Sequence, residues 1–147
     1  PRGKIWDQQV CREFATSHLV SGEKDLVFIC GRYEGVDERF IESYVDQQLS
    51  VGDYILSGGE IATMAILDSA MRFSPEVLGN KVSSEDESFE KNLLEHPQYT
   101  RPAEFEGKVV PSILTSGHHA KIKEFQEQES LRLTRLHRPD LLDDSKT

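Results

Sequence analysis

Two apolar stretches, each followed by a glycine-bearing turn, constrain this chain more than any other part of its sequence. The apolar run LVFI at 26–29 leads into CGRYEGVDER at 30–39, and β-formers at 49–56 precede SGGE at 57–60. A continuous apolar run is typical of a strand buried on both faces of a parallel sheet. Glycines bare the main chain just where a helix start offers unpaired N–H groups. The pattern predicts two strands whose turns line one pocket from two sides.

Apolar residues at helical spacing predict helices around these strands. Trp6, Val10 and Phe14 recur every four residues. Ser57 and Glu60 have the spacing of a capping box at the start of a helix that is apolar on most sides, which predicts a buried helix at a subunit interface. The predicted helices cover residues 6–15, 36–46, 59–73 and 120–136. Strands alternating with helices indicate an α/β fold built on a parallel sheet.

Composition excludes several classes of protein. The chain has 147 residues, no apolar run approaches the length of a membrane span and no signal peptide is recognisable, so we expect a cytoplasmic protein without a membrane partner. Cys11 and Cys30 lack the spacing of a metal site or a disulfide framework. The net charge of −9 argues against broad non-specific nucleic-acid binding, yet residues 117–138 hold five Lys or Arg against three Glu. Because the first residue is Pro1 rather than Met, we expect the chain to begin inside a longer protein.

A polar, acidic stretch divides the sequence. Residues 80–92 (NKVSSEDESFEKN) contain three adjacent acids and few apolar anchors, which is typical of a flexible linker between domains. We therefore expect one domain at 1–79 and a second, mainly helical domain at 93–147.

Four sequence blocks identify a family. The blocks CGRYEGVDER (30–39), SVGDYILSGGE (50–60), RFSPEVLG (72–79) and LLEHPQYTRP (93–102) resemble the bacterial TrmD-type tRNA (guanine-N1)-methyltransferases of the SPOUT superfamily. The resemblance covers nearly the whole chain. PRGK at 1–4 is similar to the end of an earlier family motif, so the resemblance implies that the preceding part of the first domain is absent and that the C-terminal domain stops early.

The resemblance implies a fold, a cofactor and a reaction. The fold is an α/β parallel-sheet domain with a deep trefoil knot, followed by a small, mainly helical C-terminal domain. The protein is a homodimer that binds S-adenosyl-L-methionine in the knot and methylates N1 of the tRNA guanosine just 3′ of the anticodon. The pocket is lined largely by main chain, and the matching residues are Tyr33, Glu34, Gly35, Ser50, Val51, Gly52, Tyr54, Leu56, Gly58 and Gly59.

The reaction needs a base and a cation. Guanine N1 carries a proton at neutral pH, so a carboxylate must remove it while a cation stabilises the charge that builds on O6. The family has an arginine at the position of Arg72 and an aspartate in the linker, which ungapped counting places on Glu87. Glu87 is the favoured base, and Asp86 is the alternative if the loop shifts by one residue. Without the family context, these acids would be read as a solvated loop.

Further residues are candidates for contacts with tRNA. The resemblance places Glu95 at the guanine edge and Tyr99 and Arg101 near the RNA, although a surface or packing role is the alternative for each. Basic residues of the last predicted helix are candidates for phosphate contacts, the alternative being a solvated face: Lys121, Lys123, Arg132 and Arg135.

Two functions compete with the methyltransferase. One is a module that binds S-adenosylmethionine or RNA without transferring a methyl group, and the other is a SPOUT enzyme with a different RNA target. The block at 93–102 argues against the second. Adjacent His118 and His119 have no further spaced ligands, so we expect no metal site.

Overall fold

The computed structural model of the chain describes residues 1–20, 25–74, 88–89 and 92–143. They belong to two compact units, Pro1–Lys81 and Val82–Thr147, of mixed helix and sheet. The linker predicted at 80–92 lies outside the described residues except for Ser88, Phe89 and Asn92, and the predicted domain boundaries stay predictions. None of the helices in the described ranges is long and apolar enough to cross a membrane.

The described part of the first unit contains one parallel strand pair and three α-helices. Its elements are β1 Lys4–Ile5, α1 Gln8–Phe14, a π-helix Ala15–Val20, α2 Glu38–Tyr44, β2 Leu49–Ser50 and α3 Glu60–Met71. The β1 strand pairs in parallel with β2, with Lys4 opposite Leu49. The predicted helices at 6–15, 36–46 and 59–73 are confirmed with shorter bounds, and the parallel pairing agrees with the predicted sheet type.

The core of this unit lies between α1 and α3. Its buried side chains are Cys11, Phe14, Ala15 and Ala70. The Trp6 ring contacts Phe14 edge-on at 5.4 Å, and its indole N–H donates to Ser69 Oγ at 2.9 Å. Burial raises the pKa of the Cys11 thiol, which therefore stays neutral and acts as a small core residue.

A glycine allows the two parallel strands to approach. The Lys4 N–H donates to Gln48 O at 2.8 Å and the Trp6 N–H to Ser50 O at 2.7 Å. A Cβ at Gly3 would collide with the main chain of Gln48, so a side chain there is incompatible with this pairing.

The strand predicted at 26–29 is wrong. Residues 25–30 have no regular secondary structure, and Val27 is 83% exposed, while Phe28 packs against the core. A strand exists only where its N–H and C=O groups pair with a neighbouring chain. Within the described residues the parallel ladder consists of β1 and β2, so the run at 26–29 has no strand partner there.

Two further expectations about the region before α3 need correction. The strand at 49–56 ends at Ser50, and α3 begins at Glu60 with Gly59 as its N-cap and without a side-chain cap. The predicted capping box therefore does not form, because the Glu60 carboxylate pairs with Arg32 instead. In the single chain one side of α3 is buried, with Ile66 in the interior, and the other side is exposed, with Met64 69% exposed; burial at a subunit interface stays a prediction.

The second unit is a hairpin followed by a long helix. Its elements are β3 Glu104–Phe105, β4 Lys108–Val109, a 3₁₀-helix Ser112–Thr115, α4 His119–His137 and a 3₁₀-helix Pro139–Leu142. The β3 and β4 strands pair antiparallel around Gly107, whose φ of 75° lies in the left-handed region that glycine tolerates. The helix predicted at 120–136 is confirmed as α4.

Candidate functional site

The two glycine-bearing turns lie against each other. A Cβ at Gly59 would lie 3.1 Å from both Cα and Cβ of Cys30, closer than ordinary van der Waals contact. Cys30 Sγ and Thr63 Oγ1 are 3.3 Å apart and share a hydrogen bond. The end of the apolar run at 26–29 therefore touches the start of α3. The two turns therefore touch, although the strand expected before the first turn is absent, and the pocket predicted between them stays a prediction.

An ion pair closes the same contact on its exposed side. Arg32 Nη2 donates to Glu60 Oε1 at 2.5 Å. A hydrogen bond from the Glu60 main-chain N–H is the larger cause, and the Arg32 hydrogen bond the next, of a Glu60 pKa below its usual value. The carboxylate thus satisfies an N–H group at the start of α3 and holds the first turn beside it.

The first turn presents bare main chain to solvent. Tyr33 and Gly35 have φ values of 58° and 107°, and the Tyr33 side chain is fully exposed. A Cβ at Gly35 would meet nothing within 4 Å, so the space beside this glycine is open. After the turn, Asp37 caps α2 by accepting the Arg39 N–H, and its carboxylate also pairs with the Arg39 guanidinium. These bonds lower the pKa of Asp37 and fix where the turn ends.

The turn after β2 is closed by its own side chains. Buried Ser50 donates through Oγ to Gly52 O at 3.2 Å, and Tyr54 donates through its phenol to Val51 O at 3.1 Å. The Tyr54 ring covers Gly52, whose φ of 148° and missing side chain permit that approach. The predicted cofactor residues at 50–54 therefore form one compact loop, which leads through half-buried Leu56 to the second glycine turn.

Of the three predicted catalytic residues, the structure describes Arg72. Arg72 is exposed at the C-terminal end of α3, where a cation is favoured by the helix dipole. Its neighbour Phe73 packs on the core and lies under the Arg12 guanidinium at 5.3 Å, which fixes this end of the helix. Glu87 and Asp86 lie outside the described residues.

In the second unit, a cleft of about 430 Å³ holds two of the predicted RNA residues. Tyr99 and Arg101 line it, together with residues that the sequence did not single out: His96, Gln98, Thr115 and Gln126. The third predicted residue, Glu95, is exposed, and its carboxylate accepts the Gln98 side-chain N–H at 2.6 Å. The segment at 95–101 thus presents an acid, a phenol and a guanidinium on one short stretch.

Three of the predicted basic residues of α4 share a face, whereas Lys123, two residues after Lys121, lies on the opposite side of the helix. Lys121, Arg132 and Arg135 fall within about 60° of one another around the helix and span about 20 Å along its axis. All three are exposed. Hydrogen bonds that the Arg132 guanidinium donates to the Glu129 carboxylate are the main cause of a raised Arg132 pKa.

Another cleft, of about 470 Å³, lies beside α1 in the first unit. Phe14 and Leu49 line it, and the Lys4–Glu13 ion pair at 3.7 Å lies at its edge. It contains none of the predicted cofactor residues, so we do not assign the cofactor to it. The described part of the chain contains no cluster of three or more His, Cys, Asp or Glu side chains that could hold a metal ion.

Comparison with known proteins gives one family. A family model described as tRNA (Guanine-1)-methyltransferase TrmD matches residues 1–144. Three curated relatives are each named tRNA (guanine-N(1)-)-methyltransferase. The protein from Listeria welshimeri is 54% identical over 142 residues, which are 97% of this chain and 56% of that protein.

The other two relatives agree. The protein from Leuconostoc mesenteroides is 52% identical over 143 residues, covering 97% of this chain and 56% of its own length. The protein from Bacillus cereus is 51% identical over 144 residues, which cover 98% of this chain and 57% of that protein. The chain thus spans a little over half the length of the curated relatives it matches. With a family model that covers almost all of its residues and relatives that are about half identical to it, this chain belongs to the TrmD family of tRNA (guanine-1)-methyltransferases.

Proposed function

We propose that the protein carrying this chain transfers a methyl group from S-adenosyl-L-methionine to N1 of the tRNA guanosine just 3′ of the anticodon. The observation that carries the proposal is the contact of the two glycine-bearing turns, in which Gly59 lies directly against Cys30. This contact brings main-chain groups from two distant parts of the sequence together, as a pocket lined by backbone requires. Family membership supplies the reaction class, and a tRNA substrate is consistent with a cytoplasmic protein.

The residues at these turns fit the cofactor. The main chain at 33–35 is exposed beside open space, and the N-cap of α3 is Gly59, which has no side chain. Gly58 and Gly59 leave that helix start uncovered by side chains of their own. We assign cofactor binding to the ten residues predicted from the sequence at 33–35, 50–52, 54, 56 and 58–59. When bound, S-adenosylmethionine supplies an electrophilic methyl group.

The chain's own residues then handle the proton and the charge of the guanine base. A carboxylate, Glu87 or its neighbour Asp86, takes the proton from N1 and makes its lone pair available. Arg72 stabilises the negative charge that develops on O6 as N1 is deprotonated. Its place at the end of α3, fixed by Phe73 against Arg12, supports that role because a positioned cation loses little entropy on binding.

The second unit supplies the proposed tRNA surface. Glu95 hydrogen-bonds the guanine edge, and Tyr99 and Arg101 offer a stacking surface and a cation in one cleft. The face of α4 with Lys121, Arg132 and Arg135 contacts phosphates along about 20 Å of RNA.

We further propose a SPOUT-type knotted fold and a homodimer with a composite active site. Large apolar side chains of the first unit are exposed: Val27, Ile29, Ile55, Ile61 and Met64. Apolar surface of this extent marks an interaction site in a protein of this size. A second copy covering α3 would let the linker acids of one protomer reach the cofactor of its partner.

The test is methyl transfer from labelled S-adenosylmethionine by the natural protein that carries this sequence. The substrate is an unmodified tRNA transcript with guanosine 3′ of the anticodon, and the matched control carries adenosine there. We expect label only on the first transcript, at N1. Cofactor binding without transfer would favour a non-catalytic module, and transfer to a different nucleotide would favour another SPOUT enzyme.

Three isosteric variants assign the base within one acidic run. Glu87→Gln lowers the single-turnover rate by roughly 10²–10⁴-fold, the usual range for a lost general base, with cofactor affinity unchanged. Asp86→Asn has a smaller effect, and Glu85→Gln serves as the control. The wild-type rate rises with pH and levels off as the carboxylate ionises, whereas the residual rate of Glu87→Gln keeps rising. A dead Asp86→Asn beside a normal Glu87→Gln would move the base to Asp86, and normal rates in both would refute the carboxylate mechanism.

A further inference from the structure

Thr134 is a polar side chain with no exposed surface, in the last turns of α4. Its hydroxyl donates to Ser130 O at 2.7 Å, the bond that a threonine within a helix commonly makes to its own backbone. The same oxygen accepts the Leu94 N–H at 2.8 Å, from a residue 40 positions earlier in the chain. The second bond is the informative one, because it ties α4 to a segment without regular structure.

The segment before Leu94 is closed into a turn that lies on the same end of the helix. The Phe89 N–H donates to Leu93 O at 2.8 Å, and the Glu95 N–H donates to Ser88 Oγ at 2.9 Å. The Phe89 ring lies 5.7 Å from the Arg138 guanidinium, which Asp140 holds through two hydrogen bonds. We call this arrangement of residues 88–89 and 92–95 on α4 the docked turn.

The docked turn determines the direction in which the chain continues into residues 95–101, the segment predicted to contact RNA. Two consecutive main-chain N–H groups, those of Leu94 and Glu95, are each bound by a side-chain oxygen from a different direction. Fixing two successive peptide groups fixes the direction of the chain that follows. That chain carries Glu95 itself, Tyr99 and Arg101.

We propose that Thr134 is a positioning residue: through the Leu94 N–H, its hydroxyl orients residues 95–101 for contact with tRNA. The proposal rests on the proposed function, because it assigns a task to a residue that touches neither the guanine nor the cofactor. Without the hydroxyl, the Leu94 N–H loses its buried acceptor, and tRNA has to order a segment that wild type presents already ordered.

The experiment compares Thr134→Val, which keeps the shape but removes the hydroxyl, with Thr134→Ser, which restores it. Amide exchange at Leu94 accelerates about 10- to 100-fold in Thr134→Val, as expected for a buried donor left unpaired. The KM for tRNA rises about 10-fold, while kcat per folded molecule and the KM for S-adenosylmethionine stay near wild type. Thr134→Ser returns all values to within a few-fold of wild type. A purely structural role would lower the melting temperature and the folded fraction but leave KM for tRNA unchanged.

Ser88→Ala provides an independent arm if Thr134→Val does not fold. It removes the acceptor of the Glu95 N–H while leaving α4 intact, and it should raise KM for tRNA in the same direction by a smaller factor. Unchanged KM for tRNA in a folded Thr134→Val, or in Ser88→Ala if the former is unfolded, would overturn the proposal.

Affinity for tRNA, measured by fluorescence anisotropy, distinguishes failure of the proposed methyltransferase function from failure of the proposed positioning role of Thr134. An inactive wild type would refute the proposed function, and weaker binding by Thr134→Val would still support positioning. A wild type that neither methylates nor binds tRNA would overturn both.

Discussion

The contact between Gly59 and Cys30 makes a quantitative prediction about the cofactor site. Gly59 has φ −81° and ψ −8°, an ordinary helical conformation that any residue adopts. Replacing it by alanine or valine therefore introduces no backbone strain of its own. The cost comes from the new Cβ, which would lie 3.1 Å from the Cα and Cβ of Cys30 and 3.3 Å from its Sγ.

The expected change in the free energy of unfolding follows from two opposing contributions. Inserting a carbon into a packed contact costs about 1–3 kcal/mol. Replacing glycine where φ is negative recovers about 0.4–1 kcal/mol, because the unfolded chain loses freedom. We therefore expect Gly59→Ala to destabilise the first unit by about 0.5–2 kcal/mol. Gly59→Val should cost more, and it should also push the turns apart and weaken S-adenosylmethionine binding.

Trp6, the sole tryptophan, reports on this unit because its ring packs on Phe14 and its indole N–H bonds Ser69. Urea unfolding followed by its fluorescence gives the stability change, and calorimetric titration gives the cofactor affinity. For the stability measurement the matched control is Gly58→Ala, where the added Cβ meets only the movable Glu60 carboxylate. A folded Gly59→Val with wild-type stability and wild-type cofactor affinity would refute the reasoning.

Three other predictions follow from the charges and the exposed surface. Main-chain and Arg32 hydrogen bonds lower the pKa of Glu60, so its bond to Arg32 is fully formed above the ordinary carboxyl value of 4.5 and is lost only as pH falls through the lowered pKa. Cofactor affinity should drop a few-fold over that range, and Glu60→Gln should abolish this pH dependence in a calorimetric titration. Arg135→Gln should weaken tRNA binding and reduce by about 1 the slope of the logarithm of the tRNA binding constant against the logarithm of the salt concentration. Arg132→Gln should change this slope less, because the Arg132 guanidinium is already ion-paired with Glu129. Equal slopes in wild type and both variants would contradict phosphate contact. Met64→Glu should convert the natural protein from dimer to monomer in light scattering, and a monomeric wild type at micromolar concentration would exclude the homodimer.

The helices of this chain are predictable from local sequence because each is encoded within itself. The spacing of Val10 and Phe14 predicts α1, whose buried face these residues form, and the long periodic stretch at 120–136 predicts α4. The strand at 26–29 fails for the opposite reason, because strand formation depends on a partner that its own residues do not specify.

The contacts that build the candidate site are harder to predict from the sequence. The glycines predicted the two turns and a pocket lined by both. The residues that join them were not predicted, because Arg32 pairs with Glu60 across 28 positions and no local pattern links the two. Thr134 was missed in the same way: a threonine within a helix gives no sign that its oxygen will accept an N–H from position 94. Long-range polar contacts of this kind are decided by tertiary packing.

The parallel pairing of β1 with β2 has a consequence for how the first unit folds. Residues 4 and 49 must meet, and everything between them forms one large loop whose closure costs entropy before any contact repays it. The α1 and α2 helices inside that loop have seven residues each, too few to persist alone in water. Closure of the loop between β1 and β2 and formation of the two helices inside it therefore depend on each other. In refolding experiments, we expect Trp6 to reach its native fluorescence only when helical circular dichroism of this unit appears, in a single slow step.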